Sequence, residues 1–485
     1  MLRLQGRCAK SHCAVGSPRS SRWLALGFGL LVGMVSTSAM AETLEQALAD
    51  AYLLNPVLNA ERARLRAIDE QVALAKSGLR PNITGSADTN YVNQNSNFAG
   101  AASIVGGGLT SNGVSHPHGY AVQLSQLLFA GFQNLNAVRE AKSVVQAQRE
   151  VLRGVEQTVL LDAATAYVNV VRDQAVVRLR ENDVRVLTEQ LKATRDRFDV
   201  GEVTRTDVAQ AEARRSEALA TLSVAQANLK TSRATYEQVV GHPPGSLQAP
   251  PSIRHLLPNS LDEAMTLGDG ENPGILATVY NEEASLYAVE RIMGELLPQV
   301  SLQAGYEKRF DVSPTVNDVE TTTVTGRVNV PLYQGGSVSA RVRQAKETNN
   351  QLKREVEDSR LRVHADVISN WGILQSSAPA IRSAESAVSA NKIALTGVRE
   401  EEKVGQRTTL DVLDAQRELL NSQIGLVSAL RDRVVAEYSL YAAIGRMDAQ
   451  TLGLSVPYYD PFEHYEIIKN KWFGLKPPEP PLADN

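Results

Sequence analysis

The stretch VGQRTTLDVLD at residues 404–414 decides the fold, because its pattern also occurs 204 positions earlier as VGEVTRTDVAQ at residues 200–210. Segments with helical periodicity flank both stretches. Gly201 and Gly405 can adopt the positive φ that ends a helix, and the threonine followed by aspartate supplies the N-cap of the next helix. Each stretch therefore predicts the bend of a helical hairpin.

The two bends belong to a tandem duplication. Asn55 before proline recurs 217 positions later as Asn272 before proline, whereas from Leu128 onward the offset is 204. A single indel of 13 residues explains the change and indicates a tolerant loop. The predicted domains are a first structural repeat at 42–242, a proline-rich connector at 243–258, a second structural repeat at 259–446 and a polar C-terminal tail at 447–485. We expect part of this tail to be disordered.

Each repeat contains two segments in which apolar and polar residues alternate, which predicts β-strands. They lie near residues 83–91 and 120–125 in the first repeat and near 300–307 and 323–332 in the second. Loops are predicted between them, at 93–117 and 311–320. Strands of about ten residues suit a tilted membrane crossing, but about eight strands are the minimum for a closed barrel. Either several chains build one barrel or the strands form soluble hairpins.

After the strands, apolar residues recur every three and four positions over residues 132–198, and a matching segment follows Gly336. This spacing is typical of coiled coils. A helix of about 65 residues extends about 100 Å, which is far more than a globular core requires. The sequence therefore predicts two long helical hairpins.

The first 41 residues contain five basic and no acidic residues and include an apolar run that is too short to cross a bilayer. They end in Ala-Met-Ala, so we interpret residues 1–41 as a signal peptide. Cys8 and Cys13, the two cysteines of the chain, both lie there, which excludes disulfides in the exported protein. The formal net charge of −4 does not favour nucleic-acid binding.

No pattern of catalytic, cofactor-binding or metal-binding residues emerges from the sequence, so we do not predict an enzyme. Asp411 and Asp414 lie three positions apart at a predicted helix start and share one face. Two interpretations remain open. Asp411 caps the helix while Asp414 is solvated, or both form rings of negative charge around a symmetric pore.

The duplicated capped helix, the Asn-Pro break, the paired strands and above all V-G-x-R-T-x-x-D-V-L-D at residues 404–414 resemble the TolC-like outer-membrane channels. The resemblance covers residues 42–446. It implies an α+β fold of tandem-duplicated coiled-coil hairpins with four transmembrane strands per chain. Three chains would form a homotrimer with a 12-stranded β-barrel in the outer membrane, continuous with a periplasmic α-helical barrel.

The function implied by the resemblance is that of an exit duct for tripartite drug or solute efflux, or for type I protein secretion. The implied partners are a periplasmic adaptor (membrane fusion) protein, an inner-membrane transporter of the RND or ABC type, and outer-membrane lipid. A soluble periplasmic coiled-coil scaffold is the alternative, and a periplasmic enzyme is a weaker one because no convergent polar site is visible.

The resemblance also assigns roles to individual residues. Arg407 matches an arginine that links the inner hairpin to an aspartate of the neighbouring hairpin, here Asp207. Asp411 and Asp414 match the aspartates that constrict the pore. Glu402 stands where the family has a tyrosine in a second link, so that link is not expected in the same form.

Overall fold

A computed structural model describes residues 42–97, 110–313 and 316–478, so the predicted signal peptide lies outside the described residues. The helices are α1 (Leu44–Leu54), α2 (Pro56–Ser77), α3 (Gln133–Asp199), α4 (Arg205–Val240), α5 (Leu261–Glu271), α6 (Pro273–Met293), α7 (Ser337–Lys403), α8 (Thr409–Ala443) and α9 (Glu463–Ile468). The strands are β1 (Asn82–Thr89), β2 (Val92–Asn97), β3 (Thr110–Ser115), β4 (His118–Ala130), β5 (Gln299–Ser313) and β6 (Val316–Asn329). The order of two short helices, strands and a long helical hairpin thus occurs twice.

Capping side chains set the starts of the short helices. The Thr43 hydroxyl accepts a hydrogen bond from the Gln46 amide at 3.3 Å, and the Gln46 side chain accepts one from the Thr43 amide at 3.0 Å. This is the predicted capping box of α1. Asn55 ends α1 and caps α2, whose first residue, Pro56, has no amide hydrogen to donate.

Four strands form one antiparallel sheet in the order β1-β4-β5-β6. Directly opposed residues of neighbouring strands lie on the same face of a sheet. One row across the four strands consists of Ile83, Leu124, Ala304 and Val324, and the adjacent row consists of Asn82, Ser125, Gln303 and Thr325. Because these rows lie on opposite faces, the sheet has an apolar face and a polar face, as the alternation predicts.

The predicted loops are only partly correct. Within the first one, β2 and β3 pair with each other as a separate two-stranded ribbon. In the second one, β5 and β6 continue their ladder as far as the pair Ser313 and Val316. Strand pairing uses backbone amides and carbonyls, so polar and glycine-rich segments can form it although their side chains carry no alternating pattern.

The main apolar core lies where the short helices pack on the long ones. Tyr167 and Tyr236 are fully buried there. The Tyr167 hydroxyl is 2.8 Å from both the Glu42 and the Gln248 carbonyl oxygens, and it therefore ties α3 to the start of the first repeat and to the connector.

The connector between the repeats is held by one buried carboxylate. Glu437 of α8 is 0% exposed and accepts hydrogen bonds from the Ser252 hydroxyl at 2.9 Å and the Ile253 amide at 3.0 Å. Arg433, one turn earlier, donates to the same carboxylate at 3.1 Å. A buried charge is tolerated only with such partners, so these contacts fix the connector against the helices.

Residues 447–478 of the C-terminal segment are folded against the helices, and the expectation of disorder stays a prediction for residues 479–485, which lie outside the described residues. The ring of His464 in α9 lies 3.1 Å from the carboxylate of Asp69 in α2, and both side chains are buried. The Arg149 guanidinium lies 4.0 Å from the centre of the Phe462 ring, which is a cation–π contact. Composition predicts disorder from polarity and proline content, and it cannot register these long-range partners.

Candidate functional site

The two bends have the same backbone geometry. Gly201 lies between α3 and α4 with φ +82°, and Gly405 lies between α7 and α8 with φ +75°. A Cβ atom at either position would have no neighbour within 4 Å. Backbone conformation rather than packing therefore explains the two glycines.

Each returning helix begins with a capping box. Thr204 and Thr408 accept hydrogen bonds from the amides of Asp207 and Asp411, and each aspartate side chain accepts from the threonine amide in return, at 2.8 Å and 3.0 Å. The threonine hydrogen bonds hold the pKa of both carboxyl groups below the usual aspartate value. Both aspartates thus carry negative charge at the tips of the hairpins at neutral pH.

Arg407 is bound within its own bend. Its Nε donates to a Glu401 carboxylate oxygen at 2.9 Å, and both side chains are about half exposed. Glu401 raises the pKa of the Arg407 guanidinium further above its ordinary value. In the described part of this single chain, no hydrogen bond or ion pair joins Arg407 to Asp207. A link between them therefore requires a second chain or a different position of the hairpin.

The two constriction candidates differ in their surroundings. Asp411 is half-buried and caps α8 without a charged hydrogen-bond partner among the described residues, whereas Asp414 accepts a hydrogen bond from Arg214 of the other hairpin at 2.7 Å. Arg417 lies 3.7 Å from the same Asp414 carboxylate. The charge of Asp414 is therefore largely balanced in this arrangement, and Asp411 carries the less compensated charge.

Sequence reasoning missed an ion pair that joins the two hairpins. The Arg197 guanidinium in α3 donates to Glu402 in α7 at 3.1 Å, and the Glu402 side chain is only 12% exposed. The Thr409 hydroxyl donates to the same carboxylate oxygen at 3.1 Å. The sequence contained one sign of this ion pair. Residues 400–402 are three consecutive glutamates, and the equivalent part of the first hairpin carries arginines.

An apolar cluster lies near these polar contacts. Leu413 of the second hairpin is buried among side chains of the first hairpin, namely Leu187, Leu191, Ala211 and Ala218. The hairpins are thus joined by non-directional apolar contact along the helices and by directional ion pairs nearer the bends. Ion pairs between solvated side chains each contribute little to stability.

Another cluster of polar groups lies in the main core. The Nε2 atom of His242 is 3.2 Å from an Asp50 carboxylate oxygen and 3.8 Å from one of Glu42. These three side chains have the types and proximity of metal ligands, and His242 forms an ion pair with each carboxylate when it is protonated. Glu42 also accepts from the Gly245 amide at 3.2 Å, so the cluster holds the start of the first repeat against the connector.

In the described ranges, none of the helices is both long and apolar enough to cross a membrane. The sheet has one apolar face and is joined to paired helical hairpins that end in charged bends. This architecture is typical of outer-membrane channel proteins. The chain belongs to the outer membrane efflux protein family, whose model matches residues 47–242 and 270–446. Family membership places the protein in the outer membrane, and it favours the channel over the soluble scaffold.

Individual relatives agree with this assignment. The chain is 43% identical over 453 residues to the outer membrane efflux protein BepC of Brucella suis, covering 93% of this chain and 96% of BepC. It is 26% identical over 438 residues to the outer membrane protein TolC of Escherichia coli, covering 87% and 86%. The crystal structure of the Campylobacter jejuni CmeC outer membrane channel has the same fold, with a TM-score of 0.73 at 15% identity and coverage of 88% and 89%.

Proposed function

We propose that three copies of this chain form an outer-membrane channel that serves as the exit duct for tripartite drug or solute efflux, or for type I protein secretion. The observation that carries the proposal is the open sheet, in which β1 and β6 form the two edges. Edge strands present backbone amides and carbonyls without partners, which lipid cannot satisfy.

Closure of three such sheets would satisfy these groups. The edge strand β1 of one chain would pair with β6 of the next, so that three sheets of four strands make a closed barrel of twelve. The apolar face would contact lipid and the polar face would line an aqueous lumen, since the two faces already differ in polarity. The long hairpins, about 100 Å in helix length, would continue the duct into the periplasm.

An exit duct supplies no energy of its own, so the energy for export would come from partners. A periplasmic adaptor protein and an inner-membrane transporter of the RND or ABC type are the partners that this role requires. Family membership supports this proposal. The transporter would choose the substrate, since a wide duct discriminates little between solutes.

The gate would lie at the hairpin bends. Within one chain the Arg197–Glu402 ion pair joins the two hairpins, and it lies where the resemblance implied a different second link. Between chains, Arg407 would exchange Glu401 for Asp207 of a neighbouring chain, a charge-assisted hydrogen bond with better geometry than a solvated pair. Asp411 and Asp414 of three chains would surround the constriction and favour cations.

Cysteine cross-linking tests both the assembly and the link between chains. Both native cysteines lie before residue 14, so the processed protein provides a cysteine-free background. With Arg407→Cys and Asp207→Cys together, oxidation should give covalent dimers and trimers on a denaturing gel, while each single variant serves as control.

A shifted monomer would place the link within one chain and contradict the inter-chain gate. The native mass in detergent tests the assembly independently of the gate. A mass of one or two chains would contradict the trimer itself.

A further inference from the structure

The segment KWFGLK at residues 471–476 exposes large apolar side chains to an unusual degree. Trp472 is 65% exposed, Phe473 is 89% exposed and Leu475 is 103% exposed. Single exposed apolar residues are ordinary, but three within four positions form a patch that indicates contact with an apolar partner. The folding of the chain therefore does not by itself explain why these three side chains are exposed.

The N-terminal end of the segment is fixed by contacts with the end of α2. Lys76 at the end of α2 donates to the Lys469 carbonyl at 2.8 Å and to the Asn470 side chain at 2.9 Å. Arg80 donates to the Lys471 carbonyl at 2.7 Å, and its guanidinium lies 4.7 Å from the centre of the Trp472 ring. The buried contacts of α9 hold the preceding residues.

The position of the segment is defined by the same contacts. Arg80 lies two residues before β1 begins at Asn82, so Trp472 lies at the junction of the helices and the four-stranded sheet. Lys76, Arg80 and Lys469 lie close together there, near Lys142 of α3. Aromatic rings beside lysine and arginine are the composition of a membrane interface, where rings enter the acyl boundary and cations meet lipid phosphates.

We propose that residues 471–476 form an interfacial anchor that inserts Trp472, Phe473 and Leu475 into the phospholipid leaflet on the periplasmic side of the outer membrane. The proposal rests on the proposed membrane-spanning sheet, because that sheet sets the height of the bilayer. Lys469 pairs with Glu466, and the remaining cations beside the patch make phospholipid the occupant that fits, whereas a purely apolar protein partner would offer them no counter-charge. In this arrangement the C-terminal segment fixes the depth of the helical part relative to the membrane.

Tryptophan fluorescence gives a direct test, since the only tryptophans after residue 41 are Trp371 and Trp472. The variant Trp371→Phe leaves Trp472 as the single reporter in the processed protein. The matched control is Trp472→Phe, whose remaining Trp371 lies in the long helix α7 and packs against the main core. Both proteins are reconstituted in phosphatidylglycerol-containing vesicles whose acyl chains carry bromine at shallow or deep positions.

We expect Trp472 emission to be lost with shallow bromine, to a smaller extent with deep bromine, and to be protected from aqueous iodide. Trp371 emission should be unaffected by bromine at either depth. If both variants conduct ions in bilayers but iodide rather than bromine quenches Trp472, the anchor is wrong while the channel stands. Protection from both quenchers would place Trp472 under a neighbouring chain and would also overturn the anchor. Failure of both variants to insert into vesicles would instead contradict the membrane-spanning sheet.

Discussion

Breaking the ion pair between Arg197 and Glu402 should open the channel without dissociating its chains. The pair is 3.1 Å long, with Arg197 39% and Glu402 12% exposed. Because the arginine is well solvated, we assign each pair only about 0.5–1 kcal/mol. Three pairs in the proposed trimer would contribute about 1.5–3 kcal/mol, which changes the ratio of joined to separated tips by about 10- to 150-fold.

The assay is single-channel conductance in planar bilayers, with the melting temperature of the assembly measured in parallel. Glu402→Gln and Arg197→Gln should each raise the mean conductance and leave the melting temperature nearly unchanged, and the double variant should add little. The exchanged pair, Arg197→Glu with Glu402→Arg, should recover part of the closed state, since the charges can pair again.

Arg195 supplies the matched control. It lies two residues away and pairs with Glu212 of the same hairpin at 3.4 Å, so Arg195→Gln removes the same charge without removing a contact between hairpins. Conductance that rises equally in Arg195→Gln would show that lost positive charge, not the lost link, is responsible. Strictly additive effects of the two single changes would refute the pairing directly.

Three further predictions concern charge, backbone and pH. Replacing Asp411 and Asp414 together with alanine should abolish the block of conductance by trivalent cations. Asp411→Ala alone should reduce this block more than Asp414→Ala alone, because an arginine lies 2.7 Å from Asp414. Unchanged block in the double variant would place the constriction elsewhere. Gly445→Ala should lower the melting temperature strongly and the free energy of unfolding by about 3 kcal/mol or more, because its Cβ would lie 2.5 Å from a backbone carbonyl oxygen at φ +87°. Gly201→Ala, whose Cβ would lie in open space, should lower the free energy of unfolding by only about 1–2 kcal/mol. Equal losses would contradict the packing argument. Burial raises the pKa of Glu156 from 4.5 to about 6, so the protonated form is favoured in the folded state, and the stability that this contributes is complete below pH 4.5 and lost as the pH rises through 6. The free energy of unfolding of Glu156→Gln should therefore exceed that of wild type at pH 8, by about 2 kcal/mol at most, and equal it at pH 4. A gain at both pH values would argue against ionisation as the cause.

The sequence alone determined the features that depend on neighbouring residues. These local features are the helix caps, the positive-φ glycines, the long amphipathic helices and the alternation in the strands. Because the sequence is duplicated, each feature is seen twice. Such patterns are set by backbone sterics and by hydrogen bonds over a few positions, so they can be recognised without knowledge of the fold. Spacing at a helix start singled out Asp411 and Asp414, whereas the choice of Arg407 and Asp207 and the assignment of a pore role came from the family resemblance, and all these roles remain predictions.

Only the tertiary structure decided which charged groups are partners. At the bends, several arginines lie near several carboxylates, and helix packing brings Glu402 of the second hairpin to Arg197, which also pairs with Glu202 of its own bend. The fixed C-terminal segment depends on a contact between residues 395 positions apart in the chain. A contact over such a separation leaves no periodic trace in the sequence, because its energy depends on where the long helices bring the two groups together.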